Sequence, residues 1–384
     1  MRNNRKLFSI ILAFVLISIP SCGGDADEDP IRLGIILELT GVGAFYGESA
    51  QESIELALEQ VNYEVAGRTI EVIWEDNASD PATAIEKARK LVEQDNVDLL
   101  VGPIFGDAQD ALGPYLKEQG IMNAAILGLD WSMREYGNWI GYPGSLTSFG
   151  IPLGDFAYEQ GYRTMVTVGA DYIAGYELVR PPAERFVELG GEWVEEYWVP
   201  FGTEDYGPTI AAIEEADVVL IWTILPDTIA FIRQYREFGI ETPLLINQFD
   251  FLSPEILEDL GESALGIRGM ISMYTGQLDF PENETFVADL REKTGREAWM
   301  ADGAAYSVMQ AILAGLEATD GDPSLDKLRP AILELDLRTP SGPLSFTENG
   351  FGITNRYVAE VRQVDGRYVL APFKTYENVI DPRE

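Results

Sequence analysis

Ile31 to Val61, IRLGIILELTGVGAFYGESAQESIELALEQV, reads as one strand, one glycine-rich loop and one helix. Ile31, Leu33, Ile35, Ile36, Leu37 and Leu39 form a short apolar run, the pattern of a parallel strand buried on both faces. Ala50, Ile54, Ala57, Leu58 and Val61 recur at helical spacing on one face, with Gln51, Glu52, Glu55 and Glu59 on the other. Between them lies Thr40-Gly41-Val42-Gly43-Ala44-Phe45-Tyr46-Gly47, a loop of small residues at the carboxyl end of a strand. Its backbone N–H groups and the positive end of the helix are expected to converge where a ligand could sit.

The residues before this unit look like targeting rather than structure. Arg2, Arg5 and Lys6 precede an apolar run from Leu7 to Ile19 that is too short to span a membrane comfortably. Residues 1–21 are therefore expected to be a signal peptide. Gly23 to Pro30, GGDADEDP, reads as an acidic, flexible tether, so that residues 22–30 link the anchor to the folded part. Cys22 is the chain's one cysteine, which leaves the folded part without disulfides or thiolate chemistry. There is no histidine, so the commonest general base and metal ligand are both missing. A net charge of −37 argues against nucleic acid and against broad contact with anionic lipid.

With 384 residues the chain exceeds what one core usually organises, and two lobes are expected. Strand, loop and helix alternate onward through Thr69–Trp74, the helix after Pro81, Val97–Val101, Ala108–Gln119 and Ile121–Leu127. The rhythm resumes with an Asp155–Gly161 helix, a Thr164–Val168 strand and an Ala183–Leu189 helix, and it runs on to Leu244–Asn247. This is the signature of an α/β fold with doubly wound parallel sheets. Two helices, Thr285–Thr294 and Ala301–Ala318, then Leu325–Glu334, precede antiparallel material that turns at Asp365-Gly366.

Taken in order, LELTGVGAFYG, WEDNASDPATAIEKARKLVEQDNVDLLVGP, DYIAG, TEDYGPTI, EFGIETPLLI, DGAAYSVMQ and TPSGPLSFTENGFG resemble the substrate-binding lipoproteins of branched-chain amino acid type ABC transporters. The resemblance covers nearly the whole chain after the leader. It implies the type I periplasmic binding fold: two doubly wound lobes joined by three crossings and closing on a small-molecule ligand. The glycine- and proline-dense stretches Tyr142–Phe149, Ser272–Pro281 and Arg338–Phe346 are the expected crossings. That divides the chain into residues 31–145 plus 277–342 in one lobe, and 146–276 plus 343–384 in the other. Ile19-Pro20-Ser21-Cys22 resembles a lipobox, which implies lipidation at Cys22 and a membrane held through a lipid anchor. Delivery to an ABC transporter membrane permease and a monomeric state are implied in the same way.

In open α/β sheets ligands sit beyond the carboxyl ends of strands. The candidate contacts on those loops are Tyr46, Phe105, Gly106, Gly128, Trp131, Tyr172, Trp222, Gln248 and Asp250. Taken singly, each aromatic is more often packing than contact, and it is their convergence that argues for a site. Amino-acid-binding relatives usually offer hydroxyls after the third strand, whereas this loop reads Ile104-Phe105-Gly106-Asp107. Asp107 would repel a carboxylate if it pointed inward, though it could equally cap the next helix. Asp250 is the candidate partner for an ammonium. The expected ligand thus has an apolar or aromatic body and is an amide, a cation or an aromatic acid rather than plain leucine.

Two rivals fit less well, and a third shares the fold. A dinucleotide enzyme needs GxGxxG, but the third glycine here comes one residue late and bulky Phe45 and Tyr46 fill the loop. A carboxylate hydrolase has acid pairs to draw on, yet pairs are expected by chance among 64 acids. A membrane-tethered sensor of the same fold is not separable from a transport component by sequence. The reading calls for no catalytic residue, no cofactor and no metal.

Overall fold

The computed structural model describes residues 29–384 apart from Phe201 and Glu214, so the leader, Cys22 and most of the tether lie outside the described residues. The first lobe grows from β1 (Ile31–Leu37), α1 (Ala44–Gln60), β2 (Glu64–Val65) and β3 (Arg68–Asp76). It continues through α2 (Pro81–Glu93), β4 (Leu99–Val101), α3 (Gly106–Gln119), β5 (Met122–Ala125) and β6 (Trp139–Gly141). Its strands lie in the order β2-β3-β1-β4-β5-β6. All pairs are parallel except β2 with β3. The chain direction around the sheet reverses at β1, which has β3 on one side and β4 on the other. A crevice opens there beyond the strand ends.

The second lobe begins with α4 (Leu146–Glu159), β7 (Thr164–Ala170), α5 (Ile173–Glu188) and β8 (Glu192–Val199). It runs on through α6 (Gly207–Ala212), β9 (Val218–Trp222), α7 (Leu225–Glu237), β10 (Leu244–Ile246), α8 (Pro254–Leu260) and β11 (Arg268–Ile271). The chain then returns to the first lobe with α9 (Pro281–Thr294), α10 (Met300–Ala318) and α11 (Leu325–Leu333). It closes on β12 (Leu337–Thr339), β13 (Gly342–Phe346), β14 (Gly352–Val364) and β15 (Arg367–Val379). The larger sheet runs β12-β13-β14-β11-β10-β9-β7-β8, with β15 on β14. β7 to β11 are parallel, and the β14–β15 hairpin is antiparallel, turning at Asp365-Gly366 as its sequence suggests. Here the reversal falls at β7, between β8 and β9.

Several elements differ from the sequence expectation. α4 starts at Leu146, inside the stretch expected to be a crossing, and carries Pro152 within it. Burial of Phe149, Leu153, Phe156 and Ala157 outweighs the poor propensity of its Gly and Pro residues. α5 starts at Ile173, ten residues before the expected Ala183, and runs through Pro181 and Pro182. The short strands β6 and β11 and the helix α8 carry too few residues for a readable period.

Buried side chains lace together the segments that pass between the lobes. The Tyr142 hydroxyl donates to the Met273 carbonyl at 3.1 Å, and the Tyr357 hydroxyl donates to the Ser341 carbonyl at 2.7 Å. The Arg356 guanidinium, fully buried, donates to the Pro143 carbonyl and the Ser148 hydroxyl and lies over the Phe149 ring. Burial pushes its pKa down to about 10.

Candidate functional site

Three loops at the carboxyl edge of the first sheet are tied to one buried carboxylate. Glu38, which follows β1 and is fully buried, accepts from Asn77 Nδ2 at 2.9 Å, Ile104 N at 3.1 Å and Phe105 N at 3.2 Å. Burial raises its pKa, and the three donors oppose that rise without cancelling it. Asp76 ends β3 and accepts from the N–H groups of Leu39, Thr40 and Ala78 and from the Thr40 hydroxyl. Partial burial pushes that carboxyl up, but the hydrogen bonds win and the net shift is downward. Ser79 completes the arrangement, accepting from Gly43 N and donating to the Thr40 carbonyl.

This pinning narrows the expectation that the N–H groups of Thr40–Tyr46 converge on a ligand. The N–H groups of Leu39, Thr40, Gly43, Ala44 and Tyr46 all have partners within the protein. What the loop offers is aromatic surface. Gly47 allows the helix to seat closely, since a Cβ there would lie 2.2 Å from the Glu38 carbonyl oxygen.

Phe45 and Tyr46 open α1 and meet Trp299 with ring centroids 4.5 and 5.4 Å apart, and Phe105 closes on Tyr46 at 6.1 Å. Phe45 remains 47% exposed while Trp299 is only 4% exposed, so the wall has a wet edge and a dry backing. Burial pushes the Tyr46 hydroxyl up to about 12. Trp299 is held from two sides. Its indole N–H donates to the Ser49 hydroxyl at 2.9 Å, and its backbone N–H donates to Asp302 at 3.0 Å. Asp302 in turn takes a two-pronged contact from Arg296, 2.7 Å on each oxygen, and Arg296 also reaches Glu52 of α1. Burial raises the Asp302 carboxyl despite these partners. Trp299 was missed from sequence because α10 approaches α1 only in three dimensions; the one hint was an aromatic standing three residues ahead of Asp302.

The start of α5 in the second lobe comes near α3 of the first. Tyr172 is its N-cap residue and is 38% exposed. Burial raises its pKa, and the charges of Asp107 and Asp110 on α3 add to that, so the two lobes are close here. Burial and the neighbouring acids Asp130 and Asp107 push Asp110 up to about 6. Glu177 rises to about 7, through burial and then Asp130, against the opposing pull of Arg383.

The remaining candidates fall in several places. Gly106 is the first residue of α3, and Asp107 accepts from the adjacent Ala108 N–H, a local contact at the helix start. Gly128 takes a positive φ of 98° and lies against Phe149 of α4, 2.7 Å from where its Cβ would be. Trp131 belongs to another cluster: it stacks on Phe351 at 5.2 Å, with Arg134 and Arg383 over its ring. Trp222 donates its indole N–H to Gln248 Oε1 at 3.0 Å, and Gln248 adopts a left-handed φ of 51°. Asp250 is 2% exposed and accepts from the N–H groups of Met273 and Tyr274, which commits one of its oxygens to the crossing backbone. The structure thus joins Tyr46 and Phe105 directly and brings Tyr172 near Asp107 and Asp110 of α3. Trp222 and Gln248 form a separate pair. Among the described residues no cluster of His, Cys, Asp and Glu is arranged to hold a metal ion, and no helix is long and apolar enough to cross a membrane.

Comparison with known proteins is consistent along the chain. A Leu/Ile/Val-binding protein homolog of Brucella suis is 28% identical over 371 residues, 93% of this chain and 94% of the relative. An ABC transporter substrate-binding protein from Sphaerobacter thermophilus superposes with a TM-score of 0.87 at 32% identity, over 92% of this chain and 99% of that one. A solute-binding protein from Rhodopseudomonas palustris, solved with 3,4-dihydroxybenzoic acid, superposes with a TM-score of 0.85 at 26% identity, over 93% and 99%. These relatives are substrate-binding proteins, not enzymes. The periplasmic binding protein family model matches residues 30–367, and the chain belongs to that family, with its type I two-lobed α/β fold.

Proposed function

We propose that this protein captures a small organic ligand with an aromatic or apolar body between its two lobes and delivers it to an ABC transporter permease. Cys22 would be lipidated and would hold the protein at the outer face of the cell membrane or in the periplasm. The observation that carries the reading is the wall of Phe45, Tyr46, Phe105 and Trp299 on the first lobe, with the exposed ring of Tyr172 on the second lobe near Asp107 and Asp110. Flat rings on one lobe with an exposed ring on the other suit a planar or apolar body that buries both on closure. The aromatic acid named for the Rhodopseudomonas relative supports an aromatic body. The name of the Brucella relative supports branched-chain amino acids as the alternative content of the same cleft. No residue in this reading acts as a catalyst.

Native mass spectrometry of protein purified without refolding tests it, followed by calorimetry with the released compound. A retained small molecule that rebinds and quenches tryptophan emission is the expected outcome. A protein that retains nothing and responds to no amino acid, amide or aromatic compound would overturn it.

A further inference from the structure

We infer that Asp130 of the first lobe and Glu177 of the second share one proton where the lobes meet, and that this proton latches the lobes together as the surroundings acidify. The inference rests on the two-lobed binding-protein reading but not on the identity of the ligand, and its test uses none.

The two carboxyl groups come from separate lobes. Asp130 caps the short helical turn Trp131–Glu135 between β5 and β6, with its Oδ1 accepting from Ser132 N at 2.7 Å. Glu177 stands in the second turn of α5. Its Oε2 is buried and accepts from no donor, and Asp130, another acceptor, lies within hydrogen-bonding reach of its side chain. Two carboxylates that approach this closely need a proton between them, so that one donates its O–H to the other. The bond ties α5 to the loop after β5, and it forms only while the lobes stand together.

The surrounding groups leave that role to a proton. Asp110 of α3 adds negative charge to Glu177, and Asp107 acts on Asp110 in turn. Tyr172 feels all three acids, Asp107, Asp110 and Glu177. Arg383 is the cation that acts on both members of the pair, but its Nε and Nη2 are spent on Asp381 at 2.8 and 2.5 Å, and Nη2 also reaches the Thr147 hydroxyl. Its pull on Glu177 is weaker than the push from Asp130. The other cations nearby are taken: Arg180 by Glu196, Arg185 by Asp155 of α4 and by Glu188, and Arg134 by the Trp131 carbonyl. Tyr176 donates its hydroxyl to Asp171, and Glu184 and Glu377 along the groove beside α5 add only further acid.

Burial, and then Asp130, push Glu177 up to about 7 from its ordinary 4.5. Lobes in contact therefore hold the proton more tightly than lobes apart. The latch is fully made below 4.5, the value in separated lobes, and is lost as pH rises through about 7. Between pH 8 and pH 6 one such proton should raise the ratio of closed to open protein about tenfold.

Small-angle X-ray scattering of the ligand-free full-length chain tests the latch. The radius of gyration should fall as pH drops from 8 to 6, with its midpoint near pH 7. Glu177→Gln and Asp130→Asn each give the remaining carboxylate a permanent amide donor, so both variants should already be compact at pH 8 and show no transition. Glu177→Ala, which can neither donate nor accept, should stay expanded at both pH values. A parent whose radius does not change, or a transition that persists in Glu177→Gln or Glu177→Ala, overturns the latch. Compaction by calcium chloride at pH 8 in place of acid marks a bridging cation and overturns it too. Each of these results leaves ligand capture standing, which fails only if native mass spectrometry and calorimetry find nothing bound.

Discussion

The two faces of the cleft are built on opposite plans. On the first lobe, Glu38 and Asp302, both fully buried, fix the loops and the helix start that carry Phe45, Tyr46, Phe105 and Trp299. On the second, Tyr172 stands at a helix start with 38% of its surface exposed, and Trp222 is restrained by one hydrogen bond to Gln248. One face is organised before a ligand arrives. The other leaves Tyr172 accessible at its helix start while Trp222 is buried. Pre-organisation lowers the ordering cost of binding, whereas an adaptable face lets closure report on occupancy.

Substitutions can break this contrast, and the largest effect is expected at its strongest point. Trp299→Ala removes the backing of the wall and should cost about 3–5 kcal/mol of stability in urea unfolding. It should also weaken ligand binding roughly 30-fold or more. A variant as stable as the parent would mean that the first face is not pre-organised by packing.

Glu38→Gln comes next. The amide keeps one acceptor oxygen and turns its NH2 donor toward the N–H group of either Ile104 or Phe105, so about 1–3 kcal/mol should be lost at neutral pH. The pH dependence follows from the raised carboxyl. The folded protein holds the Glu38 proton more tightly than the unfolded chain does, so this group's contribution is full below its unfolded pKa near 4.5 and is lost as pH rises through the folded value. The parent's advantage over the variant should therefore shrink between pH 4 and 7, as read from unfolding midpoints. An advantage that grows instead would place the Glu38 charge, not its proton, in the folded state.

Tyr172→Ala should lower ligand affinity about tenfold while shifting apo stability by less than ~0.5 kcal/mol. A large loss of stability would show that the second face is built like the first. The smallest effect is expected for Trp222→Phe, which takes the donor from Gln248 Oε1 and should cost about 0.5–1.5 kcal/mol. An affinity change greater than that of Tyr172→Ala would move the centre of recognition from the helix start to the strand ends.

How much of this was legible varied with the length of the element. β1, α1, α2 and α10 carry seven to nineteen residues each, long enough for their period to show. β6 and β11, of three and four residues, were not readable. α4 and α5 hide their first turns behind Gly and Pro residues that tertiary burial tolerates. For the candidate site, the closeness of Tyr46 and Phe105 was legible from their place after strand ends, because topology alone sends those loops to the crevice. Trp299 was not, since nothing local marks a residue whose partners on α1 lie some 250 positions earlier in the chain.

The amino-acid sequence by itself determined the alternation of buried strands and amphipathic helices, the two-lobed size, the absence of histidine and the aromatic character of the first loop. Those are properties of local period and composition, which a chain carries before it folds. Tertiary structure decided how the hydrogen bonds were spent. The loop expected to point its N–H groups at a ligand spends several of them on Asp76, Ser79 and Gly43, with Glu38 binding the neighbouring loop, while one oxygen of Asp250 and the hydroxyl of Tyr274 were left without partners. A backbone N–H is a donor in every sequence, and only packing determines whether the protein itself or a ligand is there to accept it.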